Sequence, residues 1–223
     1  MAHAQNTSSE PALNAKQQSI IPIAAFTANG NGEKLKASLA EGLQNGMTVN
    51  EIRDVLVQMY AYTGFPRSLT ALGTFVSLLD ERKAQGIRDE VGREATPLPA
   101  DDNVRERGTA TQTTLIGRPA SGPVYDFAPM IDTYLKEHLF GDIFGSDVLN
   151  HQERELATVS ALASLPAEAQ LRSHLNVCLN VGLTEAQLRA FVAVLSEKVG
   201  QAEAQLAGQA LEGVLQARQN ANR

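Results

Sequence analysis

Asn150 to Gly200 reads NHQERELATVSALASLPAEAQLRSHLNVCLNVGLTEAQLRAFVAVLSEKVG. The punctuation predicts three consecutive helices. Asn150 can cap the first; a short turn at Pro166 joins it to the second; Gly182 stops the second; and Thr184 with Gln187 opens the third as a capping box. Adding 136 to each residue number of Asn14–Gly64 lands on this stretch without a gap. Asn14 falls on Asn150, Leu39 on Leu175, Gly46 on Gly182, Thr48 on Thr184, Arg53 on Arg189 and Gly64 on Gly200. A match that preserves caps and stops over this length indicates duplication, and two copies predict a pseudo-two-fold helical unit rather than a solenoid.

The composition agrees. The 223 residues are 43% hydrophobic and only 5% aromatic, with no Trp, and Ala and Leu dominate, which favours helices over strands. The expected class is all-α. The first copy adds the apolar run SIIPIAAFTA (19–28), predicted to be a buried helix, with Pro22 inside it. A fourth helix is expected from Pro66, carrying Leu69, Leu72, Phe75, Val76 and Leu79. The division expected is a frayed N-terminus (1–13), a first repeat (14–93), a polar connection (94–124) that wraps a neighbouring subunit or covers a pocket, and a second repeat (125–223). Phe127 to Leu139 is read as one helix, ended by Gly141 and Gly145.

Several functions are excluded or disfavoured. A formal charge of −6 without a Lys/Arg cluster disfavours nucleic acid as partner. No apolar run is long enough to span a bilayer. A single cysteine, Cys178, rules out an internal disulfide or a CxxC pair. No metal-ligand spacing and no phosphate loop appears, so neither metal nor cofactor is expected. Ala2-His3-Ala4 before Gln5 resembles the end of a secretory cleavage site but lacks a preceding apolar region. A cytoplasmic location is therefore expected, or a periplasmic one if a signal was trimmed before Gln5.

Glu155 and His174, nineteen residues apart on helices expected to pack antiparallel, are the candidate catalytic pair. A carboxylate beside an imidazole orients the ring and favours its charged form, which suits proton transfer. The plainer reading is a helix-start Glu at the positive end of the macrodipole and a half-buried His. In the first copy the same positions hold Ser19 and Ser38. His138 is a further candidate, as a substrate-binding group or simply a favourable helix-end charge. Tyr60, Tyr62 and Arg67, gathered in YAYTGFPR, offer two phenols and a guanidinium fork for a substrate carboxylate, or a plugged helix end with a surface ion pair. His151 is expected to face solvent, and Cys178 to be a small core residue.

HLNVCLNVGLTEAQL, its copy SLAEGLQNGMTVNEIRDVL, and YAYTGFPRSL resemble the carboxymuconolactone decarboxylase and alkylhydroperoxidase-D-like superfamily over roughly Leu13 to Leu215. The resemblance implies an all-α tandem of two family domains. It also implies a homo-oligomer, a trimer by analogy with hexameric single-domain members. In the peroxidase branch a Glu on the first helix and a His on the second relay protons to a CxxC pair. Glu155 and His174 match that Glu and His, but the cysteine positions fall on Ala167 and Gln170, which removes the thiol chemistry. The decarboxylase branch also lacks the cysteines and keeps the histidine. It implies cofactor-free acid/base chemistry, decarboxylation or isomerisation, on a small carboxylated lactone or keto acid. His174 is then the acid/base and Glu155 its orienter, while Arg67 or His138 is assigned as the carboxylate anchor by its chemistry rather than by a motif match. A non-catalytic oligomeric ligand-binding protein is the alternative, with an antioxidant peroxidase activity further behind.

Overall fold

The computed structural model describes residues 12–221, and within them every regular element is a helix. The chain runs α1 (Ala15–Asn29), α2 (Gly32–Gln44), α3 (Val49–Gln58), α4 (Tyr60–Ala84), α5 (Val104–Ile116), α6 (Pro123–Phe127) and α7 (Pro129–Thr133). A π-helical segment, Tyr134–Ile143, follows. Then come α8 (His151–Ser164), α9 (Glu168–Asn180), α10 (Glu185–Val194), a π-turn over Leu195–Val199, and α11 (Gln201–Ala221). No helix among the described residues is long and apolar enough to cross a membrane. Ala2-His3-Ala4 and the rest of residues 1–11 lie outside the described part. Leu13, assigned by composition to the frayed N-terminus, is instead fully buried in the core.

The duplication is visible element by element, since α1, α2 and α3 recur as α8, α9 and α10 at the same offset of 136. Each cap works as the residues dictate. Asn14 Oδ1 accepts from Gln17 N while Gln17 Oε1 accepts from Asn14 N, and Asn150/Glu153, Thr48/Glu51 and Thr184/Gln187 repeat the reciprocal pair. The two repeats share one core. Every residue from Ser19 to Ala28 in α1 and from Arg154 to Ala163 in α8 is buried, and the two helices pack on each other at the centre. Burying side chains such as Ile20, Ile23, Leu156 and Val159 contributes about 1.5–3 kcal/mol each, which is why this pair anchors the fold.

The expected break before Pro66 is a kink rather than a gap. Helical turns run on either side of Gly64, whose φ of 77° and ψ of 161° lie where essentially only glycine is at ease. Gly64→Ala is expected to cost about 1–3 kcal/mol of unfolding free energy, read as a lower midpoint in a urea titration. An unchanged midpoint would show that the kink relaxes freely.

The connection between the repeats differs most from expectation. Part of it is helix α5, opened by Asn103, whose side chain accepts from Arg105 N and Glu106 N, and closed by Gly117 in the left-handed conformation. The helix has no apolar stripe because it packs by backbone: a Cβ at Gly108 would lie 1.6 Å from the Lys136 carbonyl oxygen. Phe127–Leu139 is not one helix either. Pro123 and Pro129 each start a short helix, and wide turns then carry the chain past Gly141 to Ile143. This strap, residues 123–143, lies almost wholly within the expected second repeat and, together with α5 from the connection, walls a pocket beside α9.

Candidate active site

Glu155 and His174 meet. His174 Nδ1 stands 2.8 Å from Glu155 Oε2, where the antiparallel pair α8 and α9 brings one side chain from each helix into the groove between them. Glu155 lies in the second turn of α8, behind the capping residue Glu153, so the macrodipole reading belongs to Glu153. Its side chain is 1% exposed and that of His174 15%. With Nδ1–H donated to the carboxylate, Nε2 is the ring nitrogen left for a ligand. The Tyr62 ring meets the imidazole edge-on at 5.8 Å between centroids. In the first repeat the corresponding Ser19 hydroxyl instead donates to Ala15 O and accepts from Asn45. That half carries no acid/base pair at these positions.

Both residues line a cavity of about 200 Å³. α9 supplies Gln170, Ser173, His174 and Val177; α5 supplies Gln112, Leu115 and Ile116; and the strap supplies Tyr125, Leu135, Leu139 and Phe140. Ala61, Tyr62 and Glu155 complete it. The walls are chiefly apolar, with a few polar groups converging. Glu155 Oε1, Tyr62 Oη and Gln112 Oε1 are buried without a hydrogen-bond partner among the described residues. The Thr158 hydroxyl near Tyr62 is already engaged with Arg154 O and Gln58 Nε2. Unpartnered buried polar atoms are costly, and three around one cavity suit a polar ligand. Burial, reinforced by the Glu155 charge, pushes the Tyr62 phenol far above its ordinary range. Tyr62 therefore remains a neutral hydrogen-bond donor.

The other sequence candidates lie elsewhere. Tyr60 stacks on Phe65 at 4.3 Å and faces His138 at 5.3 Å. His138 is exposed, in the middle of the π-helical segment rather than at a helix end, with Nδ1 3.0 Å from Asp142. Arg67 is exposed against Gly30, where an added Cβ would fall 1.3 Å from its Nη1. None of the three lines the cavity, so the expectation that Arg67 or His138 anchors a carboxylate there is not met. Chain neighbours around the Gly64 kink point in different directions. His151, expected in solvent, is half-buried, and desolvation followed by the Arg154 charge lowers its pKa. It lines a shallower cleft of about 510 Å³ along Phe144–Gln152 that contains no buried acid/base pair.

Sequence reasoning overlooked Arg154, which has no exposed side-chain surface. Its guanidinium donates to Asp54, to Ser146 O at 2.7 Å and to Gln58 Oε1 at 2.9 Å, tying α8 to α3 next to Glu155. The available signal was a lone arginine entering an apolar run. Gln112 carried no signal, because it lies on a helix without a stripe.

Ala167 and Gln170, the positions that the peroxidase pattern gives to cysteine, are the cap of α9 and a cavity wall. Cys178 is fully buried, and desolvation, with the Glu155 charge adding to it, pushes its thiol well above the ordinary range. The folded protein is expected to leave Cys178 unmodified by a chromogenic disulfide reagent until denaturant is added. Rapid labelling without denaturant would contradict this.

A family model described as the carboxymuconolactone decarboxylase family matches residues 1–75 and 129–212. A 4-carboxymuconolactone decarboxylase from Acinetobacter baylyi is 28% identical over 67 residues, covering 30% of this chain and 50% of the relative. The chain thus spans about half the length of that curated relative. One matched region takes in α1–α3 and the other α8–α10, and residues 76–128, α5 included, lie outside both. The chain belongs to the carboxymuconolactone decarboxylase family.

Proposed function

We propose that the protein is a decarboxylase-like lyase that performs cofactor-free acid/base chemistry on a small carboxylated lactone or keto acid. The observation that carries this is the buried Glu155–His174 pair opening on a cavity of about 200 Å³ with apolar walls. In decarboxylation the C–CO₂⁻ bond breaks, carbon dioxide leaves, and the electron pair passes into the conjugated carbonyl. Apolar walls such as Leu115, Leu139 and Phe140 favour a step in which a localised carboxylate charge disappears. Tyr62 O–H can donate to the oxygen on which charge develops. His174, as imidazolium, delivers a proton from Nε2 to the carbanionic carbon and recovers one from water, while Glu155 holds the ring and stabilises its charge. An isomerisation would use the same groups, with His174 first removing a proton.

Assembly of several copies fits this reading. Phe65, Leu69 and Val76 form an exposed apolar stripe on α4, and Val124, Phe127 and Met130 are exposed on the strap. The experiment is release of carbon dioxide, or a shift of the ring double bond, from carboxylated γ-lactones, compared between the wild type and a variant without the imidazole. Absence of both reactions across such a panel would favour a non-catalytic binding protein.

A further inference from the structure

A second chamber of about 240 Å³ adjoins the first, and Ile116, Tyr125, Ser173 and Val177 line both. Ser173, the chain neighbour of His174 on α9, is thus shared by the two chambers. Each chamber is smaller than the roughly 300 Å³ at which pockets for drug-sized ligands begin, so a small ligand with two ends suits them better than one filling either alone.

The charges are unevenly placed. The inner chamber has no Arg or Lys, and its titratable pair is Glu155 with His174. A second anionic group buried there would face the Glu155 charge with no Arg or Lys to pair it, since His174 is already engaged with Glu155. The outer chamber has one charged residue, Arg118, and no carboxylate. Arg118 is an exposed side chain with no ion-pair or hydrogen-bond partner among the described residues, as are Arg67 and Arg88, but of these three it is the one that lines the chamber adjoining that of His174. The surroundings of Arg118 are fixed. Asn180 Nδ2 donates to Leu115 O at 3.0 Å and Ile116 O at 3.1 Å, pinning the end of α5, and Gly117 then turns the chain into Arg118. Asn176, also on the outer wall, has its amide oxygen held by Arg218 at 2.8 Å, which leaves its Nδ2 as a second donor.

We propose that Arg118, assisted by Asn176, is the anion-recognition residue of this site, and that the ligand lies across both chambers with an anionic group at Arg118 and its reacting carbon beside His174. The second half rests on the acid/base reading of His174; the first does not. Holding a non-reacting anion at Arg118 would offset the cost of placing the reacting group against apolar walls. The guanidinium fork makes the preference specific for a planar oxyanion over a neutral isostere.

The test uses furan-2-acetate and its methyl ester as probes, titrated calorimetrically into the full chain. The wild type is expected to prefer the acid. Arg118→Gln should weaken acid binding about 10–100-fold and leave the ester unchanged, with Arg118→Lys intermediate. Absence of an acid-over-ester preference in the wild type, or its persistence in Arg118→Gln, overturns the proposal. His174→Gln should keep the preference. Binding thus tests Arg118, whereas turnover tests His174, and the two readings can fail separately.

Discussion

Replacing His174 with glutamine is expected to lower turnover by about 10²–10⁴-fold, the usual contribution of a positioned general acid or base. Glutamine fills similar space and can still hydrogen-bond Glu155, so the cavity and the fold should survive. It cannot carry a proton. The loss should appear in kcat, with binding of the furan acid little changed and the thermal midpoint within a few degrees of the wild type. Glu155→Gln should act in the same direction but less strongly, because the ring stays tethered while the imidazolium loses its counter-charge. Turnover of His174→Gln at the wild-type level would sink the acid/base reading, whatever the geometry of the pair.

The second large effect concerns stability. Asp54→Ala is expected to cost about 3–5 kcal/mol of unfolding free energy, measured by urea titration, because it leaves the fully buried Arg154 guanidinium without its counter-charge. The remaining acceptors, Gln58 Oε1 and Ser146 O, are neutral. Adding Arg154→Met to Asp54→Ala should recover part of the loss, since the unpaired charge is then gone and an apolar chain of similar length fills the space. A cost below about 1 kcal/mol for Asp54→Ala would show that water or a shifted side chain compensates.

What the sequence discloses here follows from the range of the interactions involved. Asn14, Thr48, Asn150 and Thr184 announce helix starts because a cap and its partner lie three residues apart, and Gly64 announces a break because its backbone angles exclude other residues. The repeat offset then fixes the all-α class. Glu155 and His174 are legible as candidates through spacing and through resemblance to the superfamily pattern, but their contact depends on how α8 and α9 pack. Arg154 left only the trace of a lone arginine entering an apolar run, and its pairing was not legible, since Asp54 and Gln58 lie in the other repeat. Gln112 and Arg118 were not either, because α5 docks through Gly108 rather than through an apolar face. Tyr60, Arg67 and His138 show the opposite failure: proximity along the chain gave no direction, and their side chains leave the cavity.

The pairing of α1 with α8 also has a consequence in time. α1 is enclosed on nearly every side, and much of that enclosure comes from a helix that begins 136 residues later in the chain. During synthesis at about 5–20 residues per second, α1 would wait on the order of 7–27 seconds for its partner to emerge. Over that interval Ile20, Ile21, Ile23 and Phe26 have no native shelter on one side, and long-range closure must precede the gain from burying them. The nascent first repeat is therefore expected to expose apolar surface until the second arrives, a stage at which aggregation competes with folding.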